Sequence, residues 1–202
     1  MYLPEEFENK DNEALFETIR HHGFGLLISE IEGQPFASHV PMLLHVEGDK
    51  RSEECFLYGH VARANDHWRH MDGRRSLAIF QGPHAYVSPT WYEKGGVPTW
   101  NYSVVHVYGE LSVVDDRSQL SDIVIRLSDQ YESGRNNPWI PDFPDSMLNG
   151  IVGFSLKADE IQFKQKLSQN KSMADRLAVE QALEQSSSPE DQKVAMLMKK
   201  TR

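Results

Sequence analysis

Cysteine is almost absent from this chain of 202 residues, where Cys55 is the single example. One thiol excludes an internal disulfide and a zinc site built from cysteines, because both need at least two thiols. The chain must therefore rely on a hydrophobic core, and its 39% hydrophobic and 25% charged residues are typical of a globular protein. Its length suits one sizeable core or at most two small ones.

Long apolar runs are also lacking. No stretch approaches the roughly 20 residues that a membrane-spanning helix requires. The N-terminal segment contains Glu5 and Glu6, whereas a secretory signal begins with basic and then apolar residues. We therefore expect a cytoplasmic protein with no membrane partner.

Positive charge is scarce, since 21 Lys and Arg stand against 30 Asp and Glu, a formal net charge of −9. That balance argues against a protein that grips the phosphates of nucleic acid over a broad face. Residues 162–202 carry eight basic and five acidic side chains, a difference of +3, which leaves −12 for residues 1–161. DNA could be a partner only through this stretch, and the charge favours the simpler interpretation of solvated helices.

Motifs of metal binding and catalysis are missing as well. The nine histidines show neither HExxH nor HxH spacing, and no third ligand converges on the pair His67 and His70. Glycine-rich phosphate loops and a GxSxG elbow are also absent. We predict no metal site and assign no catalytic residue.

The pattern of apolar residues indicates a mainly β protein with helices at its ends and rim. Helical spacing predicts a helix before Gly23, a short one at 64–71 and a long one at 120–131, and capping residues Ser172 and Ser188 start two more. Six or seven short strands without βαβ alternation favour an antiparallel barrel. We expect separate strands at 76–81 and 85–88, separate strands at 151–156 and 160–166, and a polar turn at 48–51.

Two segments carry polar residues where a strand would be apolar. Residues 37–41 (ASHVP) place a proline inside a strand, which implies an edge or a bulge with backbone groups left to bond something else. Residues 58–65 (YGHVARAN) end a strand with Arg63 just before a helix, an arrangement that suits an anion. On spacing alone, however, the second segment favours a strand end with a solvated arginine over an anion site.

A third segment is rich in aromatic side chains. Residues 88–92 (SPTWY) and 97–102 (VPTWNY) flank a glycine loop. Their side chains could form a lid over a planar ring, or they could plug one end of the barrel.

Together these segments resemble the PaiB family of negative transcriptional regulators. The resemblance covers nearly the whole chain and is carried by FQGPHAYVSPTWY (80–92), VPTWNY (97–102), HVYG (106–109), GHVARAN (59–65) and KLSQN (166–170). That family is similar to FMN-binding split-barrel proteins such as pyridoxamine-phosphate oxidases and flavin reductases, which are homodimers holding FMN between subunits. The resemblance implies a mainly β protein with α-helices, an antiparallel FMN-binding split barrel with peripheral and C-terminal helices. FMN is the implied cofactor, and a homodimer is the implied assembly.

The resemblance also implies which residues hold the flavin. The residues that would line it from a barrel strand are Ser38, His39, Val40 and Pro41, and those near its phosphate are Tyr58, Gly59 and Arg63. The oxidases carry two adjacent basic residues at that point, whereas here Ala64 follows Arg63.

The second side chain that binds the phosphate together with Arg63 is therefore expected elsewhere in the chain. His60 or His39 could supply it, and Lys166 is a further candidate for the phosphate. The aromatic segment adds Trp100, Asn101 and Tyr102 to the cofactor-binding residues.

The implied function is flavin-linked negative regulation of transcription, acting directly or through a metabolite or partner protein. The alternative is a flavin- or haem-dependent oxidoreductase of the pyridoxamine-phosphate-oxidase-like group, favoured by the acidic charge and by the lack of a helix-turn-helix signature. The oxidases' basic substrate-binding residues have no counterpart here, so pyridoxamine phosphate is not the expected substrate.

We expect two parts in the chain. Residues 1–168 form the FMN-binding split-barrel domain, and residues 169–202 form a C-terminal helical extension. The apolar positions of that extension suit packing on a neighbouring subunit, among them Leu183, Val194 and Met198.

Overall fold

A computed structural model describes residues 1–48 and 54–201. The helices in these ranges are α1 (Asn12–His21), α2 (Trp68–Met71), α3 (Arg117–Glu132), α4 (Met173–Glu184) and α5 (Pro189–Lys200). The strands are β1 (Phe24–Ile31), β2 (Gln34–Glu47), β3 (Glu54–Ala62), β4 (Arg75–Val87), β5 (Thr99–Val114) and β6 (Ile151–Lys166). None of the described helices is long and apolar enough to span a membrane.

The strands form a closed barrel in the order β1-β2-β3-β6-β5-β4, which confirms the predicted antiparallel barrel. Strands β1 and β2 form a hairpin in which Ile31 pairs with Gln34 and Phe24 pairs with Pro41. The two residues of its turn, Glu32 and Gly33, have φ angles of 52° and 77°, the left-handed conformation that such tight hairpins need.

Two predicted interruptions are wrong. β4 runs without a break where strands 76–81 and 85–88 were expected, because Gly82 and Pro83 are both buried within the strand and shift its in–out alternation without ending it. β6 runs through 157–160, a polar stretch that reads as a turn but is an exposed part of one strand. Of the polar turn expected at 48–51, residues 49–51 lie outside the described residues.

The short helix predicted at 64–71 is confined to Trp68–Met71. Asn65 explains the later start, since its side-chain oxygen accepts a hydrogen bond from the backbone N–H of His67 at 3.0 Å. Such local side-chain bonds compete with helix formation.

The chain divides into two compact units. The first unit comprises residues 1–18, 81–105 and 162–202, and the second unit comprises residues 19–80 and 106–161. In the second unit α3 buries Ile123 and Leu127 against Leu43 of β2, with Tyr58 packed beside them.

In the first unit both C-terminal helices pack into a core. Their buried side chains share one cluster with β4 residues and the 88–92 segment: Ala85, Val87, Tyr92, Leu167, Val179, Leu183, Val194, Ala195 and Met198. The expectation that these apolar positions pack on a neighbouring subunit is therefore wrong, because the chain itself covers them. The predicted caps are confirmed, since Ser172 and Ser188 each accept the backbone N–H three residues later. A boundary after residue 168 stays a prediction.

Candidate functional site

The four β2 candidates alternate between the inside and the outside of the sheet. Ser38 and Val40 are buried, His39 is exposed and Pro41 is half-buried. The His39 ring stacks on Phe24, with ring centroids 6.3 Å apart and planes inclined by 27°. Only His39 and Pro41 therefore present side-chain atoms to a ligand on the outer face.

The Ser38 hydroxyl belongs instead to a buried polar group around His67, which is completely inaccessible to solvent. The His67 ring contacts Ser38 Oγ through Nδ1 and Ser29 Oγ through Nε2, each at 2.9 Å. Asn65 donates to Ser38 Oγ at 2.9 Å, and Ser29 and Ser76 hydroxyls are 2.7 Å apart. We call these five residues the His67 network. Burial lowers the pKa of His67, so its ring is neutral at neutral pH.

The three β3 candidates differ in what they offer a ligand. Tyr58 packs against the α3 cluster, and burial raises the pKa of its phenol. Gly59 is required by close packing, because a Cβ there would lie 2.6 Å from the Phe154 ring and 2.9 Å from the Pro41 carbonyl. His60 is half-buried, burial lowers its pKa, and its buried Nδ1 has no hydrogen-bond partner in the described part of the chain. His60 therefore has hydrogen-bonding capacity left for a ligand.

Arg63 is anchored at the end of β3. Its Nε donates to the Asn149 carbonyl at 2.8 Å, and its Nη2 donates to the Ile151 carbonyl at 3.0 Å. Nη2 also lies 3.5 Å from Asp115 Oδ1, and the guanidinium lies 5.7 Å from the centre of the Trp68 ring. These contacts use Nε and Nη2 and hold the guanidinium in place. Nη1 has no hydrogen-bond partner among residues 1–48 and 54–201, and the side chain is 42% exposed.

In the first unit, Asn101 and Trp100 have opposite environments. Asn101 is fully buried, and its Nδ2 donates to Ser168 Oγ at 3.0 Å and to Met198 Sδ at 3.5 Å. Trp100 is 53% exposed, and its ring meets Tyr86 edge-on at 5.9 Å. The amide of Asn101 is thus part of the internal packing, and the indole of Trp100 is open to solvent.

Lys166 lies next to Trp100. Its ammonium donates to Thr99 Oγ1 and to the Trp100 carbonyl, both at 2.6 Å. Burial, together with the charge of Lys164, lowers its pKa. Tyr102 is half-buried, with the Lys164 ammonium 5.4 Å from the centre of its ring. This corner of the first unit is therefore basic and aromatic.

The structure thus brings the candidates together in two groups. The second unit holds Ser38, His39, Val40, Pro41, Tyr58, Gly59, His60 and Arg63, and the first unit holds Trp100, Asn101, Tyr102 and Lys166. Neither of two open clefts involves them: one of about 330 Å³ beside Ser29 and Arg75, and one of about 450 Å³ beside Asp11 and Gln165.

Sequence reasoning missed the role of His67. Its only local signal is Asn65 two residues earlier, a residue type that often bonds the backbone just after it. Within residues 1–48 and 54–201, no group of three His, Cys, Asp or Glu side chains is placed to hold a metal ion.

Comparison with known proteins places the chain in a family. Residues 1–160 match the family model described as "Putative FMN-binding domain". The chain is 35% identical to Protease synthase and sporulation protein PAI 2 of Bacillus subtilis (strain 168) over 204 residues, covering 98% of this chain and 96% of that protein.

Solved structures share the fold at low sequence identity. The FAD and heme binding protein from Mycobacterium smegmatis aligns with a TM-score of 0.62 at 15% identity, covering 85% of this chain and 78% of that one. The flavocytochrome Anf3 from Azotobacter vinelandii aligns with a TM-score of 0.61 at 15% identity, covering 79% and 69%. These likenesses confirm the split-barrel fold. The chain belongs to the FMN-binding domain family, as the resemblance to PaiB proteins predicted, and FMN is its cofactor.

Proposed function

We propose that this protein holds FMN on the second unit, with Arg63 bonding the phosphate and His60 and His39 contacting the flavin ring. The observation that carries the proposal is the geometry of Arg63, whose guanidinium is held by two backbone carbonyls while Nη1 has no hydrogen-bond partner in the part of the chain that the structure describes. All three residues lie within the range matched by the family model, whereas Lys166 lies beyond it.

The donors on this unit fit the chemistry of FMN. A guanidinium nitrogen can donate two charge-assisted hydrogen bonds to phosphate oxygens. The edge of the flavin ring alternates hydrogen-bond donors and acceptors, and the neutral His60 ring carries the buried Nδ1 that no described group satisfies. When bound, FMN supplies electron and hydride transfer.

A second copy of this chain is the proposed partner of an exposed sheet face on the same unit. Phe24 is 66% exposed, and beside it lie half-buried apolar residues of paired strands, Leu26, Ile28, Leu77 and Ile79. A contiguous apolar face of this kind is typical of an interface. A homodimer would cover it with the same face of the second copy.

The biological role that we propose is flavin-linked negative regulation, as the similarity to a sporulation protein suggests. The net charge of −9 favours action through a metabolite or partner protein over direct DNA binding.

The competing function is a flavin-dependent oxidoreductase. Steady oxidation of NADH or NADPH by the FMN-loaded protein would support that competitor, and salt-sensitive binding to its own promoter without turnover would support a direct regulator.

Substitution of Arg63 tests the flavin site. We expect Arg63→Ala to weaken FMN binding by roughly ten- to a hundredfold, because the charge-assisted bonds it removes are worth about 1.5–3 kcal/mol. Riboflavin, which lacks the phosphate, should bind the variant and the wild type alike. Fluorescence titration with both flavins measures the two affinities.

Arg69→Ala is the matched control, since Arg69 also lies over the Trp68 ring, at 5.5 Å, and among the described residues its one ion pair is with Asp66 at the surface. Its FMN affinity should equal that of the wild type. Equal losses of FMN and riboflavin in Arg63→Ala, or no loss of either, would rule out the phosphate contact.

A further inference from the structure

The His67 network joins the two segments that carry the proposed FMN contacts. Ser38 directly precedes His39 on β2, and Asn65 lies two residues after Arg63. Asn65 and Ser38 are linked by one hydrogen bond, and His67 contacts both of them. The geometry of the two segments therefore depends on this buried group.

Near Asn65, the donor and the acceptor of each hydrogen bond in the network can be assigned. The backbone N–H of His67 donates to Asn65 Oδ1, so the other amide atom, Nδ2, is the donor to Ser38 Oγ. The Ser38 hydroxyl then needs an acceptor for its own hydrogen, and His67 Nδ1 is at 2.9 Å. Nδ1 must therefore be unprotonated.

The donors and acceptors on the Nε2 side of the ring follow from this assignment. A neutral imidazole with a bare Nδ1 carries its hydrogen on Nε2, which donates to Ser29 Oγ. The Ser29 hydroxyl donates to Ser76 Oγ, and the Ser76 hydroxyl points to the Arg74 carbonyl at 3.5 Å. The reverse direction leaves the Ser38 hydrogen without an acceptor among the described residues, and a buried unpaired donor is costly.

We infer that His67 is a positioning residue for FMN. Its Nδ1 lone pair orients the Ser38 hydroxyl, and that hydroxyl holds Asn65 by a hydrogen bond. These bonds fix the distance between the segments that carry His39 and Arg63. The inference rests on the proposed function, because it concerns the same FMN contacts. The Nε2 half of the network leads to β1 and β4, which carry no proposed contact.

Two serine variants separate these halves. Ser38→Ala and Ser29→Ala each remove one buried hydroxyl that lies 2.9 Å from one nitrogen of the same ring. We expect Ser38→Ala to weaken FMN binding roughly tenfold and Ser29→Ala to change it less than about twofold, with similar drops in melting temperature. Titration of the full chain with FMN at a temperature where both variants are folded measures the difference.

Two further measurements test the positioning role of His67 even if Ser38→Ala folds poorly. Long-range ¹H–¹⁵N NMR of the wild type should show the Nε2–H tautomer of His67. His67→Asn, which can keep an acceptor near the Nδ1 position, should bind FMN more tightly than His67→Gln, which reaches toward Ser29.

The outcomes distinguish this inference from the proposed function. Equal losses in the two serine variants, or an Nδ1–H tautomer, would overturn the positioning role while wild-type FMN binding stands. A wild-type protein that takes up no FMN would overturn the proposed function and this inference with it.

Discussion

Burial lowers the pKa of three histidines in the second unit, His60, His67 and His106. In the unfolded chain these rings take up a proton near their ordinary pKa of 6.5, whereas the native rings resist protonation until a lower pH. Between those two pH values the unfolded state binds more protons, so the free energy of unfolding falls as the pH falls. Above that window the stability contributed by the neutral rings is fully present.

The expected result is a free energy of unfolding that is flat above about pH 7 and declines below about pH 6.5, by at most about 1.4 kcal/mol per pH unit for each histidine. Urea unfolding at several pH values measures the slope. His67→Gln should reduce this slope, because it removes one of the three buried rings. A slope that His67→Gln does not alter would contradict the conclusion that the buried His67 ring contributes to the pH dependence of stability.

Asp115 places a negative charge beside the guanidinium that we propose for the phosphate, so it opposes phosphate binding there. Its Oδ1 lies 3.5 Å from Nη2 and its side chain is 78% exposed, so the pair itself adds little to stability. We expect Asp115→Asn to tighten FMN binding by about two- to fivefold, the size of a surface ion pair, and to leave riboflavin binding unchanged. High salt should shrink the gain because it screens exposed charges.

Flavin titrations at low and high salt check this. Asp66→Asn, which removes the partner of Arg69 instead, is the control. A gain that is equal for FMN and riboflavin would show that Asp115 does not act on the phosphate.

At the scale of elements, α5 offers a matched pair of methionines. Met198 is completely buried in the core that α4 and α5 share with β4, and Met196, two positions earlier, is 57% exposed. We expect Met198→Ala to lower the free energy of unfolding by about 2–5 kcal/mol. Met196→Ala should change it by less than about 0.5 kcal/mol.

Urea unfolding of both variants measures this difference. Similar small effects would mean that α5 does not pack on the first unit in solution. The same contacts predict that removal of residues 169–202 destabilises the first unit, since the core there would lose most of its buried side chains.

At the scale of the whole molecule, the proposed homodimer depends on the exposed face around Phe24. We expect the wild type to sediment as a dimer at tens of micromolar and Phe24→Glu to sediment as a monomer, because a buried carboxylate opposes association. Ile140→Glu, at another exposed apolar residue of the second unit that belongs to none of the strands, should stay dimeric. A monomeric wild type, or dimeric Phe24→Glu, would reject this interface.

Local patterns in the sequence were enough for the class of the fold and for most elements. The strand content, the helix caps at Ser172 and Ser188 and the family resemblance all depend on residues close together in the chain. The two interruptions wrongly predicted in β4 and β6 arose from the same source, since Gly82-Pro83 and the polar stretch 157–160 read locally as breaks. Only pairing with neighbouring strands keeps such segments extended.

The roles of individual site residues depended on contacts between distant positions. Arg63 is anchored by carbonyls 86 and 88 residues away, and Asn101 contacts Met198, which is 97 residues away. The prediction that Ser38 lines the flavin came from its own segment, whereas the contact of its hydroxyl with His67, 29 residues later, is visible only in the structure. Periodicity and capping are properties of short segments and can be predicted from them, whereas a hydrogen bond between remote residues exists only once strand register and packing have brought its two atoms together.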